Sequence, residues 1–268
     1  MSLTMEKKSF KFDAVRHLYA LDGKPLIGTT TALQVLSKEL TWWASGMACA
    51  EFGWLNPKKS SKDDVVKAAA SMHARICGMA FPDYLDLLNR AYRAHSAKKE
   101  IAKDSGIDMH SLLEDFIKSQ MEGRSEFLPD PRIQPFRDWS AKHVKRFLFS
   151  EICCYSEVLW CGGKPDFAYE DMEGNYALGD FKSAAGFYYS YYLQLGAYDF
   201  QISENGGFTP KGEKIFHLDK PFKYHAIFAE RVGLDKPSLN HDIDRVKKAW
   251  VYLVRLYQEK MFFEKDRE

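Results

Sequence analysis

Apolar and polar positions alternate at the start of the chain, through Phe10-Lys-Phe12 and then His17-Leu-Tyr19-Ala-Leu-Asp-Gly-Lys-Pro-Leu26. This pattern predicts a short hairpin over Phe10 to Leu26 that turns at Asp22-Gly23. Thr29, Thr30 and Thr31 then offer hydroxyl caps to a helix carrying Leu33, Val35 and Leu36, with Trp42 and Trp43 near its end. Asn56 to Asp63 reads as a loop, and a second helical region runs from about Asp64 to Lys103, interrupted at Pro82. The chain is expected to break at Asp104-Ser105-Gly106. A new helix follows through His110 to Gln120, and a polar loop with Pro129 and Pro131 leads to an amphipathic helix over Ile133 to Arg146.

Beyond that point the period changes from helical to two. Glu151 to Trp160, Lys164 to Glu170 and Tyr176 to Lys182 read as strands, the last two joined across Asp171-Met172-Glu173-Gly174-Asn175. Tyr188 to Ser203 reads as a helix, Lys214 to His217 and Tyr224 to Ala229 as strands, and Ser238 to Phe263 as a long closing helix. The order predicts an α/β (α+β) fold, a central mixed sheet flanked by helices, and not a doubly wound one. An N-terminal hairpin and helical region over 1–104 is expected to pack on a core over 105–268.

Composition changes this picture little. The chain has 268 residues, 46% of them apolar, enough for a packed core. Lys plus Arg total 38 against 37 for Asp plus Glu, so no global positive field marks a nucleic-acid partner. Phosphate contacts would fall to local groups: Lys58, Lys59 and Lys62; Lys142, Lys145 and Arg146; Lys247 and Lys248. Each also reads as a solvated helix face. No apolar run is long enough for a membrane span and no signal-peptide core opens the chain, so a cytoplasmic protein with no membrane partner is expected. Cys49, Cys77, Cys153, Cys154 and Cys161 lack metal-site spacing and read as reduced thiols.

The expected hairpin carries the chemistry. Its turn is centred on Glu173, midway between Asp166 and Asp180, so antiparallel pairing sets those two residues opposite each other, roughly 5 Å apart at Cβ. Two carboxylates that close do not ionise comfortably without a cation. Lys182 lies two residues beyond Asp180 and returns to the same face. Such an oxygen-rich pair suits Mg²⁺ or Mn²⁺, with the ammonium positioning water or stabilising charge on a phosphate, and phosphodiester hydrolysis fits. The plain alternative is an exposed charged stripe. The apolar neighbours in Tyr-Ala-Leu-Gly-Asp-Phe-Lys argue instead for a central strand.

Gly163-Lys-Pro-Asp166, Gly179-Asp180-Phe181-Lys182-Ser183 and Gln194-Leu-Gly-Ala-Tyr198 together resemble the motif series of the PD-(D/E)XK nucleases, in particular their RecB-like branch. The resemblance implies a restriction-endonuclease-like core. By it, Asp166, Asp180 and the Phe181 carbonyl bind metal, Lys182 assists catalysis, and Gln194 and Tyr198 shape the site and touch substrate. Ser183 joins them as a substrate contact by its place in the second motif. His110-Ser-Leu-Leu-Glu114 resembles the family's helix with a His and, one turn later, a Glu, which implies that His110 reaches an ion and Glu114 faces the same way. Glu151 and Glu157 are further accessory acids that the sequence does not rank. His17-Leu-Tyr19 with Gly28-Thr-Thr-Thr is similar to the opening of phage-type and mitochondrial exonucleases of the branch, although the threonines by themselves read as helix caps.

The activity so implied is that of a phage or prophage-type DNA exonuclease using one or two Mg²⁺ or Mn²⁺ ions, without an iron–sulfur cluster, since no cysteine follows Cys161. An endonuclease on the same fold and a catalytically idle nucleic-acid-binding scaffold are the alternatives. The expected partner is a DNA end, single- or double-stranded. A homo-oligomer and a single-strand annealing or recombination partner stay open.

Overall fold

The computed structural model describes residues 9–36, 41–124 and 130–265, with side chains described for all of these except 41–43, 98–108 and 264–265. The chain divides into two compact units, residues 1–37 with 108–268 and residues 38–107.

The first unit opens with β1 (Phe10–Asp13), β2 (Leu18–Leu21) and β3 (Lys24–Gly28), an antiparallel meander whose second turn lies at Asp22-Gly23. Both of those residues have positive φ, at 50° and 76°, the backbone that Asp-Gly turns supply. A four-residue helix α1 (Thr29–Ala32) and a 3-10 turn at Leu33–Leu36 follow. The second unit holds α2 (Thr41–Glu51), α3 (Lys62–Cys77) and the first part of α4 (Phe81–Met121). Ser61 caps α3 by accepting from Asp64 N at 3.1 Å.

The rest of the first unit comprises α5 (Gln134–His143), β4 (Val144–Ser150), β5 (Cys154–Ser156), β6 (Cys161–Gly163), β7 (Phe167–Asp171) and β8 (Tyr176–Lys182). After these come α6 (Tyr189–Asn205), β9 (Gly207–Phe208), β10 (Lys214–Phe216), β11 (Phe222–Ala229), β12 (Ser238–Asn240) and α7 (Ile243–Lys265). One five-stranded sheet has the order β12-β11-β8-β7-β4, with β8 and β11 parallel and the other pairs antiparallel. The second has the order β1-β2-β3-β6-β5. The molecule is therefore a mixed α/β protein with mixed sheets.

Period-two alternation along β8 decides which helix covers which face. Ala177 and Phe181 pack with Met109, Leu113, Phe116 and Ile117 of α4 and Phe136 and Trp139 of α5. Leu178 points the other way, to Leu195, Tyr198 and Ile202 of α6, and α7 lies outside α6 through Trp250, Leu253 and Val254. Asp180 and Lys182 share the parity of Leu178 and so lie on the α6 face. Among the described residues no helix is long and apolar enough to cross a membrane.

Several expected boundaries move. No break occurs at Asp104-Ser105-Gly106: α4 is one helix of 41 residues, in which Gly106 costs only about 1 kcal/mol against alanine. Pro82 sits in its first turn, where a missing N–H costs nothing. In place of the helix expected to end near Trp42 and Trp43, Leu33–Leu36 form a 3-10 turn, residues 37–40 lie outside the described residues, and both tryptophans fall in the first turn of α2. Val144 to Arg146 leave the amphipathic helix and pair with β7, and Ser238 to Asn240 leave the closing helix and pair with β11. Glu151 to Trp160 is not one strand, since Glu151 and Trp160 both take positive φ and only Cys154–Ser156 pairs as β5. Pro129 lies outside the described residues.

Candidate functional site

The β7–β8 register is Phe167↔Gly179, Ala168↔Leu178, Tyr169↔Ala177 and Glu170↔Tyr176, so its continuation sets Asp166 opposite Asp180. Strand β7 begins one residue after Asp166. That carboxylate is tied to the neighbouring strand all the same, its Oδ2 accepting from Phe181 N at 2.7 Å. Glycine is required at two motif positions by close approach. A Cβ at Gly179 would stand 2.2 Å from the Phe167 ring, and one at Gly163 2.4 Å from the Tyr198 ring.

Asp180 is almost wholly enclosed, its side chain 2% exposed against 17% for Lys182 and for Asp166. The Lys182 ammonium forms an ion pair with Asp180 Oδ2. Burial and the Asp180 charge both push the Asp166 carboxyl well above the usual carboxylate range. Burial works against the Lys182 charge, but Asp180 and Asp166 outweigh it and hold the ammonium above its ordinary pKa.

From the opposite face, α4 brings His110, whose Nδ1 lies 3.9 Å from Asp166 Oδ2. Burial lowers the His110 pKa, against the pull of Asp180 and of the Phe181 carbonyl towards the charged ring. A neutral imidazole, the ligand form, is thus favoured near neutral pH. His110, Glu114, Ser150, Glu151, Asp166 and Phe181 surround a cavity of about 10 Å³, the scale of one water or ion. Glu114 is ion-paired with Lys118 one turn along α4, and Glu151 with Lys164 of the Gly-Lys-Pro-Asp segment. Of the two further acids, Glu151 borders the cavity, whereas Glu157 offers its backbone N–H to Glu204 Oε1 at 2.8 Å and is not among the cavity's lining residues.

On the α6 side Gln194 Nε2 donates to the Tyr198 hydroxyl at 2.8 Å. Tyr198 is buried against Gly163, and burial, with the Asp180 charge adding to it, holds its phenol well above the ordinary value. Ser183 follows the end of β8, half-buried. The expected threonine caps are absent: Gly28 is the α1 N-cap, and Thr29 is buried, donating to Gly162 O at 3.0 Å and accepting from Gln201 at 2.9 Å.

Two of the basic groups expected to meet phosphate serve internal carboxylates. Lys145 and Arg146 hold Glu170 at 2.9 and 2.7 Å, and Lys247 holds buried Asp199 at 2.8 Å. Asp199 also meets His225 Nε2 at 3.0 Å and Ser203 Oγ at 3.0 Å, which ties α6 to both β11 and α7. This network escaped the sequence reading because an Asp following Tyr198 has no spacing signal of its own. The lysine in Gly-Lys-Pro-Asp was the available hint to the Glu151 pair. Cys153, Cys154 and Cys161 are buried and Cys49 and Cys77 exposed, all as free thiols.

Among the described residues, Asp166, Asp180, His110 and the Phe181 carbonyl carry the oxygen and nitrogen atoms that could hold a divalent cation here. Among the described residues no three His, Cys, Asp or Glu side chains form a ready-made cage. The donor set nonetheless fits a hard cation that takes few protein ligands, because it sets a buried carboxylate beside a second carboxyl held above its normal range. Comparison with protein-family models finds no match for the chain, and comparison with curated proteins finds no significant one.

Proposed function

We propose that this chain is a divalent-metal-dependent DNA nuclease of the PD-(D/E)XK superfamily, RecB-like branch, acting as an exonuclease of phage type. The observation that carries the reading is Asp166, one residue before β7 and accepting from Phe181 N at 2.7 Å, next to buried Asp180, with Lys182 against Asp180 and His110 3.9 Å from Asp166. A structural ion pair would need one carboxylate, whereas this site buries two beside a single ammonium. The second carboxyl is relieved by a proton when the site is empty and by a cation when one binds.

In this reading Asp166, Asp180 and the Phe181 carbonyl would hold a Mg²⁺ or Mn²⁺ ion, with His110 at a second one. Bound there, such an ion supplies Lewis-acid stabilisation of the phosphoryl oxygens and a more acidic water. Lys182 keeps its charge through the Asp pair and places a fixed cation where negative charge grows on the phosphorane-like oxygen. Gln194 fixes the Tyr198 hydroxyl, and α6 closes the site against bulk water. Glu151, held by Lys164, stands where it can orient a water of the small cavity.

The test is incubation of end-labelled linear and covalently closed circular DNA with Mg²⁺, Mn²⁺ or chelator. Metal-dependent loss of linear DNA with circles spared supports the exonuclease. Cutting of circles transfers the same site to an endonuclease, and no cleavage under any metal overturns the nuclease reading in favour of a binding scaffold. Lys182→Ala is expected to lower kcat by about 10²–10³ with the fold intact.

A further inference from the structure

The residues that follow the catalytic strand are unusually aromatic: Phe187, Tyr188, Tyr189, Tyr191 and Tyr192 lie within six positions. Helical spacing sorts them. Tyr188, the N-cap of α6, and Tyr191 in its first turn meet edge-on with ring centroids 5.4 Å apart, and the Tyr191 ring receives the Lys182 ammonium at 5.3 Å. Tyr189 and Tyr192 share the adjacent face and line an open cavity of about 290 Å³ together with Asn240, Asp242, Arg245 and Val246. That is the small end of ligand-pocket sizes, roughly 300–1,000 Å³.

Three features give this cavity the character of a binding site. Tyr192 is fixed by a hydrogen bond between its hydroxyl and Ser238 Oγ, whereas Tyr189 is 60% exposed, a large aromatic face left to solvent. Asn240 Nδ2 is buried with no acceptor among the described residues, while its Oδ1 accepts from Asp242 N at 3.2 Å. With that hydrogen bond unmet, the amide gains from a turn that presents the donor to a ligand in the cavity. Arg245 and Asp242 stand at the mouth, both largely exposed and only 4.0 Å apart, a weak pair that either member can leave.

The cavity is also in register with the candidate active site. Asp180 pairs with Ile227, and Ile227 pairs with Ser238, so these three residues form one row across the sheet on the α6 face. At roughly 4.8 Å per strand, Ser238 lies about 10 Å from Asp180. The same helical turn therefore places Tyr191 over the catalytic lysine and Tyr192 in the cavity.

We propose that this cavity is a nucleobase site, in which an unpaired base one or two nucleotides from the scissile phosphate stacks on Tyr189 and accepts a hydrogen bond from Asn240. Arg245 then meets the adjoining phosphate. A base locked in a duplex cannot enter, so the preferred substrate is a strand with an unpaired end. The inference rests on the nuclease reading and goes beyond it by specifying the substrate class.

The experiment is steady-state cleavage, with Mg²⁺, of an end-labelled single strand and of the same strand with one abasic residue scanned along its terminal nucleotides. Wild type, Tyr189→Ala and Tyr189→Phe are compared. Tyr189→Ala is expected to raise KM roughly 5- to 100-fold, the scale of one base–aromatic stack, with kcat little changed and with recovery in Tyr189→Phe. One abasic position should cost wild type a similar factor and cost Tyr189→Ala nothing further. An unchanged KM in Tyr189→Ala, or abasic and mutant effects that multiply, overturns the base site while leaving the nuclease standing. Absence of cleavage by wild type under any metal overturns both.

Discussion

Asp166 is the residue on which the site turns. Its carboxyl sits near a second, buried carboxylate, and ionising both there has a cost that a proton or a cation relieves. Asp166→Asn keeps an oxygen for Phe181 N while deleting the like charge. Thermal unfolding without metal is expected to show the variant a few degrees more stable, since 1 kcal/mol moves Tm by about 2–4 °C at this size. Cleavage should fall at least about 10²-fold in the same variant. A lower metal-free Tm would mean that the carboxylate is a structural element. The juxtaposition itself was legible in the sequence, because a turn centred on Glu173 fixes the sum of paired residue numbers and so sets Asp166 against Asp180. The partners of Glu151 and Asp199 were not, since Lys164 and Lys247 reach them through tertiary contacts that leave no periodic trace.

Among the elements, α6 matters most, because it carries Gln194, Tyr198 and the tyrosines of its first turn. Its seat against α7 depends on Gly196. A Cβ there would lie 3.0 Å from the Val246 carbonyl carbon and oxygen and 3.2 Å from Lys247 N, and backbone cannot yield as a side chain can. Gly196→Ala is expected to cost about 1–3 kcal/mol in chemical denaturation, as overpacking does, and to lower activity by tilting α6. An unchanged unfolding midpoint would contradict this packing. The strong alternations of β7 and β8 and the long pattern of α6 were readable from the chain. The failures fell where a short strand abuts a helix without a breaker. Val144–Arg146 and Ser238–Asn240 have helix-compatible sequences, and pairing with β7 and β11 decided their conformation.

At the scale of the molecule, carboxylates with lowered pKa, Glu170 and Asp199 among them, shape the response to acid. Glu170 is held at about 2 by Lys145 and Arg146. Asp199, although burial opposes it, is held below the usual range by His225 and Lys247. A depressed folded-state pKa contributes stability that is fully present above the unfolded value and is lost as pH falls through the folded one. Wild type should therefore lose Tm as pH falls from about 5 towards 2. The Tm gap between wild type and Glu170→Gln should close over the same window, and a gap independent of pH would show that the Lys145 and Arg146 contacts add nothing to stability.

The central claim is that the Asp166, Asp180 and Lys182 constellation hydrolyses phosphodiester bonds with a divalent ion. Its most direct test is cleavage of end-labelled linear DNA by wild type and by Asp180→Ala, each with Mg²⁺ and with chelator. Cleavage confined to wild type with Mg²⁺ is the predicted result. Equal cleavage by Asp180→Ala, or cleavage that persists in chelator, would contradict it.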